Sequence, residues 1–539
     1  MKKLLFTFLV IFFTSCASHD KQNRHFHTKV AVESLQKDVV YTHKQLVKMH
    51  PDLYWYISKE ALDKKFDSLA QSITEPSTPN EFYHKISPIV SSVRQGHMSM
   101  NMFQLTSPDS LKKKYKGSTH PLSHFEYEYL DDRLFIERNR SRKDSILQKG
   151  TEILSINGIK PIDLFKKYRP TFTSDGFNET AIPYFFARKV NSYYVNELGF
   201  VDSVTIKASC ADSVFYHTIK RTFKKSKRLL KQVEDSLQKN KIVDSDSLRK
   251  LSKKEQQIKR SAIKEQRKKQ SFQKKWFGYD EKNKTYAKEV LFPVATDSTT
   301  AILKIRNFSE GKIKVYDTIF SVLHANNVED LIIDLRGNPG GRLNDIHRLS
   351  RYLNDSAFVF TQPATITHRA TYFNLLKGKS IPAQVFASPF IGIYSLVRGV
   401  SAKRNEDGLL QVPLKSSKYI NPKPLNYTKN IYVLTDGMTF SAAAIISSHL
   451  KGRNRAIFVG EETGGTFNGT VAGVMPVLKL PHSKLKLRVG LMTIKPTQQT
   501  KEEGYGVKPD IYIKPTIDDF LNETDPALEY ILKEIEQRH

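Results

Sequence analysis

The chain has 539 residues, 39% of them hydrophobic, and a mean hydropathy of −0.45; that length accommodates about three domains. Residues 4–13 form the one long apolar run, which excludes a polytopic membrane protein. The net charge of +30 resembles a nucleic-acid signal until it is located: residues 220–275 hold 21 Lys/Arg against 6 Asp/Glu, about half of the excess, and charge confined to one segment reads as a solvated helix or docking arm.

In chain order, MKKLLFTFLVIFFTSC has two lysines, an apolar run too short to span a bilayer, and small residues before a cysteine. It reads as a secretory signal. Phe13-Thr14-Ser15-Cys16 resembles a bacterial lipobox, implying cleavage before Cys16 and lipidation of its thiol; an ordinary signal peptide with an incidental cysteine is the alternative. The expected location is the cell envelope of a Gram-negative bacterium. No acidic cluster follows Cys16, which favours the periplasmic face of the outer membrane. With Cys16 acylated, Cys210 has no disulfide partner and is expected to be a packing residue. The 16 histidines show no metal-type spacing, and neither a metal nor another cofactor is expected. An exported chain seldom meets nucleic acid, so the basic insert is expected to contact an acidic lipid surface or partner instead.

Residues 17–30 are a polar tether. Residues 31–110 carry apolar positions at helical spacing (Val39, Leu46, Met49; Leu62, Phe66, Leu69), broken at Pro51 and the Pro76/Pro79 pair, and predict a small helical domain. It ends in Arg94-Gln95-Gly96-His97-Met98. Residues 118–220 are β-rich, and their Gly150 turn and Ile156-Asn157-Gly158 hairpin resemble a PDZ domain, which would add a peptide as an extra strand. A β-rich spacer without a peptide groove is the alternative. Residues 220–275 are the basic insert, with a narrow stripe of Leu229, Leu230, Val233 and Leu237 that suggests one or two exposed helices turning near Val243–Ser247. Residues 283–515 alternate strand-like runs with helical segments, an α/β layered pattern. Residues 360–425 interrupt it with a polar and aromatic insertion able to cover a site. Residues 516–539 end in a helix, with Asp525 as cap and Pro526 in its first position.

Within the α/β region, Ile431–Leu434 predicts a buried strand, Asp436-Gly437 breaks it, and Ser441-Ala442-Ala443-Ala444 opens a helix. A serine there is where nucleophilic hydrolases hold theirs, its hydroxyl projecting from a sharp turn. A helix-capping serine is the alternative.

Three further segments weigh on that choice: Leu331–Leu335 running into Arg336-Gly337-Asn338-Pro339-Gly340-Gly341, the turn Gly460–Thr466, and Glu503-Gly504-Tyr505-Gly506-Val507-Lys508-Pro509-Asp510. Together, in this order, they resemble the C-terminal processing (tail-specific) peptidases and their tricorn-core and interphotoreceptor retinoid-binding relatives. The resemblance implies a crotonase-like (ClpP/crotonase) layered α/β core and hydrolysis of peptide bonds in peptide or protein substrates. One branch uses a lysine base, but Thr466 stands at its place, and Ile446 replaces that branch's acidic residue on the serine helix. The tricorn-like branch implies Ser441 as nucleophile, His97 as base and Glu503 as the orienting acid, with an oxyanion hole from the N–H of Ala442 and that of Gly340 or Gly341. Gln95 and Met98 depart from that branch's Asp-Gly-His-Thr element. A non-catalytic module gripping peptides or apolar ligands on the same fold therefore stays open. Asp334 and Arg336 are expected to shape the glycine loop rather than to touch substrate.

Overall fold

The computed structural model describes residues 25–102, 114–115, 117–141, 144–211, 213–223, 253–293, 299–377 and 381–538. The signal segment with Cys16, most of the tether, and the Leu229–Leu237 stripe of the basic insert lie outside the described residues. The turn expected near Val243–Ser247 lies outside them as well; of the described residues of that insert, 253–275 belong to the helix Lys253–Phe277.

The central sheet has six strands, β1 (Lys288–Leu291), β2 (Thr300–Ile305), β3 (Asp330–Asp334), β4 (Asn430–Thr435), β5 (Ile457–Gly460) and β6 (Ile511–Tyr512). They lie side by side in chain order; β1 is antiparallel to β2, and every other neighbouring pair is parallel. Parallel neighbours cannot be joined by a tight hairpin and need a crossover. The helices α1 (Val315–Ala325), α2 (Leu343–Leu353) and α3 (Ala442–Gly452) supply three of them. Leu303, Leu331, Ile333 and Val433 pack with these helices on one face. Ile302, Ile332, Tyr432, Leu434 and Val459 pack on the other against Ala527, Ile531 and Ile535 of α4 (Pro526–Arg538). Burial on both faces is why the strands read as continuous apolar runs. Burying Ile531 and Ile535 stabilises the α4 layer by roughly 1.5–3 kcal/mol each. Asp525 caps α4, its Oδ1 accepting from the Leu528 N–H at 3.1 Å.

Among the described residues, the N-terminal part is built on the helices Val32–Met49, Lys59–Ser72 and Pro79–Ser91. The last two begin where Ser58 and Thr78 accept N–H bonds from Ala61 and Glu81. The chain then forms the strand Ser99–Asn101, which pairs antiparallel with Lys486–Arg488, Ser99 opposite Arg488 and Asn101 opposite Lys486. Asp38 accepts from the backbone N–H groups of His482 and Ser483, a second tie between the same two regions.

Residues 125–220 build a five-stranded antiparallel sheet in chain order, with the helices Pro161–Tyr168 and Ile182–Leu198 between its third and fourth strands. One apolar core runs without a break from Leu35 through Phe82, Tyr127 and Phe186 to Leu487. The helical and β-rich parts therefore do not bury separate cores. Cys210 is exposed, contrary to the expected packing role: it shares a face with the buried Val204, Ile206 and Ala208, but as the last residue of the strand Ser203–Cys210 it lies beyond the covered part of that face. The insertion at 360–425 also differs from expectation. Its main element is the helix Ile381–Ser401, which is apolar and carries a single charge, Arg398.

Candidate active site

Strand β4 ends at Thr435, and the chain crosses the Asp436–Phe440 turn into α3. Ser441 stands at the junction with φ 56° and ψ −120°, a conformation that costs a non-glycine residue of order 1–3 kcal/mol. Its hydroxyl makes no capping bond to the helix, so the capping alternative is set aside. Instead it donates to His97 Nε2 at 2.9 Å, joining residues 344 apart in sequence.

The imidazole is oriented from its other nitrogen. His97 Nδ1 lies 3.0 Å from Thr470 Oγ1, and the Thr470 hydroxyl in turn points at Asp175 Oδ1 across 3.4 Å. With the proton on Nδ1, the chain of donors runs from Ser441 to His97 and from His97 through Thr470 to the carboxylate. Asp175 Oδ1 also accepts the Gly96 N–H at 2.6 Å, which ties the carboxylate to the backbone beside the histidine. Burial pushes the His97 imidazolium down to about 3, and the nearby Arg488 guanidinium acts in the same sense. The ring is therefore a neutral base at every physiological pH. Burial pushes Asp175 up to about 7, opposed by its bonds from Gly96 and Thr470.

The glycine loop after β3 packs on the nucleophile turn. Asn338 is fully buried; its Nδ2 donates to Ile305 O at 2.7 Å, its carbonyl accepts from the Phe440 N–H at 3.0 Å, and its Oδ1 accepts from the Gly340 N–H at 2.9 Å. Asp436, pushed up to about 6 by burial, accepts from the Gly337 N–H at 2.8 Å. The Gly340 N–H is thus already engaged, which corrects its place among the expected oxyanion donors. Its own contribution is the close approach: a Cβ there would sit 2.7 Å from Ser441 Cβ and 2.8 Å from Ala442 N, at φ +95°. Ala442 N opens α3, where no carbonyl four residues back is available to it. The bridge of Gly341 to Phe308 uses the neighbouring Gly340 carbonyl and Arg342 N–H, not the Gly341 N–H.

Gly340→Ala is therefore expected to slow any acylation of Ser441 by about 10²–10³-fold, the effect of losing one oxyanion donor, because the methyl group presses on both the nucleophile and the Ala442 amide. Far-UV circular dichroism checks that the fold survives, and single-turnover kinetics measure the loss.

Glu503 does not join the pair. It is exposed, and neither Ser441 nor His97 bonds to its carboxylate. In its turn it is Gly504, at φ +83°, that faces inward, its carbonyl accepting the N–H groups of Phe177 and Asn178. The carboxylate reaching His97 is Asp175, which the sequence reading passed over inside the β-rich region. Its only local signal is Thr173-Ser174-Asp175-Gly176, which also reads as an ordinary turn. Thr470 has no such signal. Thr466 spends its hydroxyl on Gly469 O, and Ile446 lies in the apolar core. Arg336 is clamped by Asp334 and by both oxygens of Asp525, at 2.7 and 2.8 Å, as expected of a group that shapes the loop.

A serine on a strained strand-to-helix turn, with a neutral imidazole on its hydroxyl, is the arrangement of a serine hydrolase. Residues 299–513 match the model of peptidase family S41. Over the whole chain the fold is similar to that of mature CPAF complexed with lactacystin, with a TM-score of 0.57 and 15% identity over 93% of this chain and 97% of that one. Mature CPAF solved separately aligns with a TM-score of 0.56 and 15% identity over 91% and 94%. No curated relative matches the chain in sequence. Residues 299–513 are thus similar to peptidase family S41, and the chain is a serine peptidase with a layered α/β core.

Proposed function

We propose that this peptidase is a membrane-anchored endopeptidase of the tricorn-like type that hydrolyses peptides or exposed protein tails in the cell envelope, using Ser441 and His97. The observation that carries this reading is the 2.9 Å bond between Ser441 Oγ and His97 Nε2. Ser441 attacks the scissile carbonyl while its proton passes to Nε2, and His97 then returns that proton to the leaving amine. Water hydrolyses the resulting ester at Ser441 by the same base. The N–H groups of Ala442 and Gly341 receive the oxyanion, for about 3–4 kcal/mol of transition-state stabilisation.

In this reading Asp175, through Thr470, compensates the imidazolium that forms, and so supplies the carboxylate expected of Glu503 and absent at Gln95. Anchoring rests on the lipobox-like Phe13–Cys16, with the protein on the periplasmic face of the outer membrane. The basic insert adds attraction to acidic lipid or an acidic partner, and the β-rich sheet presents the substrate strand if it acts as a PDZ domain does.

The test is a fluorophosphonate probe applied to the full chain, with the adduct located by peptide mass spectrometry. An adduct on Ser441 that vanishes in Ser441→Ala is the expected result. A well-folded chain that takes no label, or takes it on another serine, overturns the assignment.

A further inference from the structure

The Ile381–Ser401 helix presents a face that the described residues leave bare. Phe386, Phe390, Ile393, Val397 and Val400 are 63–77% exposed. Their spacing of four, three, four and three residues is the 3.5-residue repeat that keeps one seam facing a neighbouring helix. The opposite side is committed to its own fold: Ser395 is buried, a Cβ on Gly399 would come within 2.8 Å of Arg369 O, and Tyr394 meets Tyr372 with ring centroids 5.1 Å apart. No charge lies on the seam. The helix's one charged side chain, Arg398, lies off it and donates to Pro413 O.

We propose that this helix is the contact between two copies of the chain, packed antiparallel across a two-fold axis. Two features select a second copy. The first is area: with the neighbouring Leu396, the seam leaves on the order of 800 Å² of apolar surface in water, against a few hundred for an ordinary patch. That is close to the roughly 800 Å² that each partner gives to a standard interface. The second is self-complementarity. Phenylalanines occupy the N-terminal half of the seam, and β-branched aliphatic residues the C-terminal half. An antiparallel register sets Phe386 against the partner's Val397 and Phe390 against the partner's Ile393, so that each ring meets a smaller side chain along the seam. A two-fold contact requires this, since the same patch must fit itself.

The experiment is sedimentation velocity on the full chain with Cys16 and Cys210 replaced by Ser, at micromolar concentration, beside the same chain carrying Ile393→Asp or Tyr216→Asp. Tyr216 is also strongly exposed but lies on the β-rich sheet, away from the helix. The expected result is a dimer for the parent and for Tyr216→Asp, with self-association about 100-fold weaker for Ile393→Asp. Thermal melting shows that the Asp variants remain folded. In the same background, Ile393→Cys should give a covalent dimer with a short bismaleimide, and Tyr216→Cys should not. A monomeric parent overturns the proposal, as does a dimer that survives Ile393→Asp. A monomeric parent that floats with phosphatidylglycerol vesicles, and loses that property in Ile393→Asp, reassigns the face to lipid.

Discussion

His97→Ala is expected to lower the rate of Ser441 acylation by about 10⁴-fold or more, the effect of removing a base whose hydrogen-bond partner is the nucleophile. The hydroxyl is a weak nucleophile until its proton has somewhere to go, and His97 Nε2 at 2.9 Å is the acceptor it has. Because the two act as a unit, the double variant Ser441→Ala/His97→Ala should be no slower than the worse single variant in a peptide-hydrolysis assay; additive losses would separate their roles. The substitution also changes the acid stability. Burial holds the folded-state His97 at about 3, against about 6.5 in the unfolded chain. Between those values the unfolded state binds the extra proton, so this site's contribution is present above pH 6.5 and lost as pH falls towards 3. Chemical denaturation at pH 4 to 7 should show a shallower dependence in His97→Ala than in the parent.

Asp175→Asn is the second large effect, and it has opposite signs on activity and stability. An amide keeps an oxygen for the Gly96 N–H but cannot carry the negative charge that balances the imidazolium. Acting through the Thr470 hydroxyl rather than on the ring directly, the loss at pH 8 is expected to be about 10–10²-fold, less than for an acid bonded to the ring itself. In the parent the rate should rise through about pH 7 as Asp175 ionises, because His97 is already neutral there; in Asp175→Asn that rise should disappear. For stability, the folded-state pKa is raised from about 3.9 to about 7. The folded chain therefore binds the extra proton in that window, and the contribution is present below pH 3.9 and lost as pH rises through 7. Asp175→Asn should raise the melting temperature at pH 8 and leave it nearly unchanged at pH 4. A profile that still rises through pH 7 in Asp175→Asn would assign the ionisation to another group.

The layered core was legible because doubly buried parallel strands leave an uninterrupted apolar signature. Ile431–Leu434 and Leu331–Leu335 announced β4 and β3 to within a residue or two, and Pro526 marked the first position of α4. The glycine loop and the serine after β4 were legible as well, since backbone approach and a tight turn restrict the residues that fit. Cys210 was misread because its place in the strand alternation matches the buried Val204, Ile206 and Ala208, and nothing in the sequence marks that the cover of that face ends before the strand does. The bare helix was not legible because residues 360–425, taken together, read as a polar and aromatic insertion, and that average hides the apolar run Ile381–Ser401 within it.

What the sequence determined by itself was local: which segments are strands and helices, where the nucleophile turn lies, and which histidine stands in a family-like element. What only the tertiary structure decided was which distant groups meet. Pairing of Ser99–Asn101 with Lys486–Arg488 brings the N-terminal helices onto the core, so that His97 reaches Ser441 and Thr470. The same packing, and no motif, selects Asp175 over Glu503 as the carboxylate behind the imidazole. The physical reason is that a strand or a turn is encoded by its neighbours in the chain, whereas a partner hundreds of residues away is set by the register of sheets and by burial, which no local pattern records.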